Sequence, residues 1–99
     1  MTAYEKYAPL KGYFNATGKF DRMPGKRQKR KQTLMFEYLA EQFEKGKRYT
    51  EQEVNEILNQ HHTFNDPASL RRFMFGSKLL DRTLEGRSYW LTTNEKINL

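Results

Sequence analysis

The sequence predicts an α+β domain, mainly helical, on three observations that follow one another between Tyr49 and Leu91. The first is Thr50-Glu51-Gln52-Glu53, where a threonine hydroxyl and a glutamate three residues on can satisfy each other's orphan amides as a capping box. The second is Asp66-Pro67, an N-cap acceptor followed by a proline whose fixed φ and missing N–H suit the first helical position. The third is a pair of strand-prone runs, residues 79–84 and 87–91, on either side of Glu85-Gly86, where glycine can take the positive φ of a tight hairpin. Helix, turn, helix and hairpin in that order are the order of a winged helix-turn-helix. The residues before them predict an N-terminal helical extension.

Taken in order, residues 1–25 form that extension, 26–92 the core and 93–99 a tail, within a single domain overall. In residues 4–14, Tyr7, Leu10, Tyr13 and Phe14 recur at intervals of three and four, which predicts an amphipathic helix. Asn15-Ala16-Thr17-Gly18 stops it, and residues 18–23 alternate as a short strand before a Pro24-Gly25 turn. Residues 26–44 are good helix formers with a stripe of Leu34, Met35, Tyr38, Leu39 and Phe43, and Phe36 near its edge. This is the expected longest helix and centre of the core, ended by a glycine cap at Gly46. The next helix carries Val54, Ile57 and Leu58 inward and ends around His61-His62. In the second capped helix, 66–78, Leu70, Phe73, Met74 and Ser77 fall on the inward side. Ser69, Arg72 and Gly76 fall opposite, with Arg71 and Phe75 on a flank.

With 99 residues, the chain is one domain whose folding buries roughly two thirds of the unfolded surface. Apolar content of 36% with 14% aromatic predicts a core of Phe, Tyr and Trp platforms. No apolar run approaches a membrane span, the first residues lack the apolar region of a secretory signal, and there is no cysteine. A cytoplasmic protein without disulfides, thiolate zinc or membrane partner is expected. The net charge of +6 is concentrated: Arg22, Lys26, Arg27, Lys29, Arg30 and Lys31 form a run with no anion, and the remaining 12 basic and 12 acidic residues cancel. A local excess points to an anionic partner such as nucleic acid. Two helix starts compete here. One begins at Lys26, with five cations against the helix dipole. The other begins near Gln32-Thr33, with the cations in a lead segment.

A helix-turn-helix shows the outward, N-terminal residues of its second helix to the major groove. Arg72 and Ser69 are then the candidates for base edges, because guanidinium bonds guanine O6 and N7 in bidentate fashion and a hydroxyl is adaptable. Arg71 and Lys78 are candidates for phosphates, and so are Arg82 and Arg87 on the hairpin, the latter beside its turn. Lys26, Arg27, Lys29, Arg30 and Lys31 complete the set that would hold double-stranded DNA. The competing fate of Arg71 and Arg72 is pairing with acidic residues such as Glu53, Glu56 or Asp81. A protein partner, including a second copy of the chain, is the alternative to DNA: an exposed Phe75 favours it, and a buried one leaves the arginines to dominate. His61-His62 does not read as a metal site, since adjacent helical residues diverge by about 100° and zinc needs three or four protein ligands. Nucleophile elbow, phosphate-cradling glycine loop and paired carboxylates are all missing, so the expectation is a binding protein without cofactor, not an enzyme.

Read together, Lys29-Arg30-Lys31, Tyr38-Leu39-Ala40, Phe43-Glu44-Lys45-Gly46, Tyr49-Thr50-Glu51, Glu53-Val54-Asn55, Ile57-Leu58, Leu70-Arg71-Arg72, Leu79-Leu80-Asp81-Arg82 and Gly86-Arg87-Ser88-Tyr89-Trp90 resemble a bacterial family, domain of unknown function 2087. The resemblance runs from about Leu10 to Leu91. It implies a winged-helix module, found alone or appended to transcriptional regulators, and it brings no established catalytic or ligand residue. Phe73-Met74-Phe75-Gly76-Ser77 is bulkier in aromatics than the family pattern.

Overall fold

The computed structural model describes residues 3–92; the expected tail at 93–99 lies outside them. Its elements are α1 (Ala3–Lys6), a 3-10 segment (Ala8–Tyr13), α2 (Lys29–Ala40), α3 (Glu51–Asn59), α4 (Pro67–Gly76), β1 (Leu80–Arg82) and β2 (Tyr89–Leu91). This is the expected α+β class, mainly helical, with one antiparallel hairpin.

The single amphipathic helix expected over residues 4–14 is broken in two, because Pro9 opens a new 3-10 segment at its N-terminus, where its missing N–H does no harm. Leu10 still reaches the core and is fully buried. Tyr7 hydroxyl donates to Glu41 Oε2 at 2.7 Å, and Lys6 Nζ lies 3.6 Å from Glu37 Oε1, so the extension is clasped along α2. Burial and the Glu41 carboxylate push the Tyr7 phenol above its ordinary range. The Asn15 side chain accepts from the N–H groups of Thr17 and Lys19, and Gly18 takes φ +84°. The expected strand over 18–23 reduces to Phe20, which bridges both Phe14 and His62.

Helix α2 begins between the two anticipated starts and ends earlier than expected, at Ala40. Gly46, at φ +78°, therefore shapes a later turn and is not the helix cap. Met35, Phe36 and Leu39 are buried on α2, and Phe43 is buried just beyond it. Phe36 is not at the edge: it packs toward α4, stacking on Phe73 with ring centroids 5.5 Å apart. On another side Tyr38 meets the rings of Tyr7, Phe14 and Phe20 edge-on at 5.3, 5.3 and 5.4 Å. The fully buried core is more aliphatic than composition implied, with Leu10, Met35, Leu39, Leu58, Leu70, Met74, Leu80 and Val54 around Phe20. Trp90 is only half-buried, under the Arg48 guanidinium at 4.3 Å.

The two capping predictions hold in detail. Thr50 accepts from the Glu53 N–H at 3.0 Å while Glu53 accepts from the Thr50 N–H at 2.8 Å. Asp66 accepts from the Ser69 N–H at 3.2 Å, and hydrogen bonding from the Ser69 side chain first, then from its backbone, holds the carboxyl below the usual carboxylate range. Tyr49, just before α3, forms an antiparallel bridge with Tyr89 through two 2.8 Å hydrogen bonds. The hairpin pairs Leu80 with Leu91 and Arg82 with Tyr89, which leaves residues 83–88 as the loop, longer than a two-residue turn. Thr83 explains this: its carbonyl accepts from Gly86 N–H, and its hydroxyl accepts from Arg87 and Ser88 N–H at 3.0 and 3.3 Å.

Candidate functional site

Helix α4, the turn after it and the hairpin carry Ser69, Arg71, Arg72, Lys78, Arg82 and Arg87, and their packing separates those residues sharply. The buried stripe of α4 is Leu70, Arg71 and Met74. Phe73, expected inward, is 50% exposed with one face on Phe36, and Ser77 is exposed. Helix α4 packs chiefly on α3, with β1 and α2 as further neighbours, and Arg71 of its flank joins the buried stripe on the α3 side. Arg71 Nη1 donates to Asn55 Oδ1 of α3, Nη2 lies 3.7 Å from Glu51 Oε2, and its guanidinium sits 5.9 Å over the Tyr89 ring. Arg71, a candidate phosphate contact, is not a free surface cation: it is 8% exposed and ties α4 to α3. Its carboxylate is Glu51, not Glu53, Glu56 or Asp81.

Arg72 is exposed and, among the described residues, makes no ion pair, as expected of the outward face. Ser69 is half-buried. Lys78 is exposed at φ +64°. Its N–H bonds Phe75 O at 3.0 Å and the next N–H, of Leu79, bonds Met74 O at 2.9 Å, which is the paired closure that ends a helix in a left-handed residue. Arg82 lies 4.4 Å over the Phe75 ring and donates to Leu84 O at 3.2 Å. Arg87 is exposed at the loop. Phe75 is 38% exposed despite its guanidinium cover.

The basic run is a constructed turn followed by a helix start. Gln28 N–H donates to Gly25 O at 2.8 Å, and the Gln32 side chain reaches back to Pro24 O at 2.9 Å and Gly25 O at 3.1 Å. That closure fixes Lys26 and Arg27 in the turn and Lys29, Arg30 and Lys31 in the first turn of α2, which has neither an acid nor a side-chain cap. Lys31 lies 5.6 Å and Arg22 4.6 Å from the Tyr13 ring, and Arg22 also pairs with Asp21 at 3.2 Å. Among the described residues, Lys26, Arg27, Lys29 and Arg30 make no ion pair and are exposed.

Sequence reasoning missed the closure of α4 against the hairpin. There Arg71, Arg72, Phe75, Arg82 and Tyr89 line one cleft of about 280 Å³. Arg71 and Tyr89 are 18 positions apart in sequence, and no local pattern joins them. His62, which the sequence places only near a helix end, is 3% exposed. Its Nδ1 lies 2.7 Å from Leu58 O while Nε2 accepts from the Asp66 N–H at 2.9 Å. That pattern requires the neutral ring with its proton on Nδ1, joining the end of α3 to the start of α4.

Fold and face together define a small basic domain, mainly helical, with a guanidinium-rich surface where its last helix meets a hairpin. The chain belongs to the bacterial family of uncharacterized conserved proteins called domain of unknown function 2087, whose model matches residues 19–91. The match begins at Lys19, later than the Leu10 read from the sequence. No curated protein and no solved structure matches the chain. Among the described residues no helix is long and apolar enough to cross a membrane.

Proposed function

We propose that this chain is a winged helix-turn-helix module that binds double-stranded DNA in transcriptional regulation, with no catalytic role. The observation that carries the reading is the unpaired basic series on α2 and its lead, Lys26, Arg27, Lys29 and Arg30, held at a helix start where its sign is unfavourable to the fold. The element order supports it: α2, the Tyr49 bridge, α3, α4 and the hairpin follow one another in the order of helix, bridge to the hairpin, helix-turn-helix and wing. Arg72 and Ser69 would face bases, Lys78 and Arg87 the backbone.

The test is a salt-resolved binding assay on random and genomic duplexes. Neutralising about five phosphates gives a log–log salt slope near −4.5, and a slope shallower than about −2 rules out engagement of both basic regions. Replacing Lys29, Arg30 and Lys31 together weakens all sequences alike, whereas Arg72→Ala relaxes preference at one position. An Arg72→Ala protein with unchanged preference means that α4 is not the reading helix.

One observation favours a second reading, a protein-binding module. Phe73 and Phe75 are 50% and 38% exposed on α4, and Leu84 at the hairpin loop is 99% exposed. Under this reading Phe73→Ala abolishes partner binding, and affinity for duplexes is absent at all salt concentrations.

A further inference from the structure

The cleft between α4 and the hairpin is lined by three arginines, Arg71, Arg72 and Arg82, beside Phe75 and Tyr89. Like charges gathered in a small partly desolvated space repel one another unless an anion lies among them. The chain supplies little: among the described residues the one carboxylate paired with any of the three is Glu51, 3.7 Å from Arg71 Nη2, and Glu51 is not part of the cleft lining. A second observation is independent of charge. Arg71 is 8% exposed, and its Nε is a buried donor without a hydrogen-bond partner among the described residues. Buried polar groups of folded proteins are almost always satisfied, and an orphaned donor on a charged group is among the costliest exceptions.

We propose that this cleft is a binding site for a phosphoryl group. Guanidinium forks match phosphoryl oxygens in bidentate geometry, and Arg72, exposed, and Arg82, half-buried, are the forks free to turn to such a group, with the buried Arg71 cation behind them. Three cations against Glu51 leave two positive charges, the complement of a phosphomonoester dianion; a carboxylate would neutralise only one. Phe75 and Tyr89 supply apolar wall for a flat group carried on the phosphate. At about 280 Å³, the cleft is near the lower end of small-molecule sites. It shares a face with the proposed DNA contact but does not require duplex binding. The phosphoryl group can come from a free monoester or from a nucleic-acid backbone.

The experiment follows the Arg71 Nε–H resonance of the full, isotope-labelled chain by NMR during separate titrations with phenyl phosphate, benzoate and a short DNA duplex. Expected is a saturable shift with phenyl phosphate below about 10 mM, at least ~tenfold tighter than with benzoate, which carries the same ring on a single charge. In an R72Q/R82Q double variant whose amide spectrum stays that of the folded protein, binding weakens by about tenfold or more. If the duplex moves the resonance and phenyl phosphate does not, the phosphoryl source is the nucleic-acid backbone. The proposal is overturned if neither moves it, if benzoate binds as tightly as phenyl phosphate, or if the double variant binds phenyl phosphate as the parent does. Phenyl phosphate binding without any duplex binding removes the DNA reading and leaves this one standing.

Discussion

Arg71 is the residue on which the site turns, because it belongs to the interior and to the cleft at once. Asn55 and Glu51 hold two of its nitrogens from α3, so its cation is fixed before any ligand arrives; fixed guanidinium loses less side-chain entropy on binding than a free one. Nothing in the pair Arg71-Arg72 separates an interior arginine from an exterior one. The α3 partner Asn55 is 16 positions away, and only folding brings it near. The histidine pair shows the same limit. His62 is a buried hydrogen-bond relay, whereas His61 is half-buried, and burial first, then the Lys19 charge, lower its imidazole below the ordinary 6.5. The unfolded chain therefore takes up a proton at His61 before the folded chain does. This contribution leaves stability undiminished above the ordinary value and reduces it as pH falls through 6.5 and below, until the folded ring protonates as well. Urea midpoints measured from pH 7.5 down to 5 should decline, and His61→Gln should flatten that decline.

At the scale of elements, caps were the most legible part of the chain and strand lengths the least. Thr50 with Glu53, and Asp66 with Pro67, act over one helical turn, so their partners are in the local sequence. The end of α4 was hidden because its left-handed residue is Lys78 instead of glycine. An L-residue there costs about 1–2 kcal/mol, so Lys78→Gly should raise stability by about 1 kcal/mol in chemical denaturation, less if backbone entropy offsets part of the relief. If Lys78 contacts phosphate, the same variant weakens duplex binding alike on every sequence. The start of α2 offers the companion test. Lys29→Glu places an acid where the helix dipole favours one and should stabilise by about 0.3–1 kcal/mol. It should also reduce the salt slope of DNA binding by about one. Opposite signs for stability and binding would identify the basic turn as retained for function; equal losses in both would assign it to the fold.

For the molecule as a whole, the N-terminal extension is part of the core and not an appendage to it. Phe20 is fully buried, stacks on Phe14 at 4.4 Å, and its backbone accepts from Thr63 N–H and donates to His61 O, each at 2.9 Å. It thus joins the extension to the connection between α3 and α4. Phe20→Ala should cost about 3–5 kcal/mol, read as a loss of thermal and urea stability, with the α3–α4 connection among the regions whose amide exchange accelerates most. A small effect, under about 1 kcal/mol, would mean that the extension folds independently of residues 26–92.

The sequence by itself determined the class of fold, the order of its elements from α2 onward, the capped starts of α3 and α4 and the place of the charge excess. Each of these follows from interactions spanning a few residues or from composition. Only the tertiary structure decided which side of α4 is buried. That choice depends on how α4 packs on α3, where Asn55 and Glu51 hold the Arg71 guanidinium. A rotation of one residue position on a helix, about 100°, exchanges an exposed arginine for a buried one. That exchange turned Arg71 from a surface cation into the floor of a cleft shared with Arg72 and Arg82.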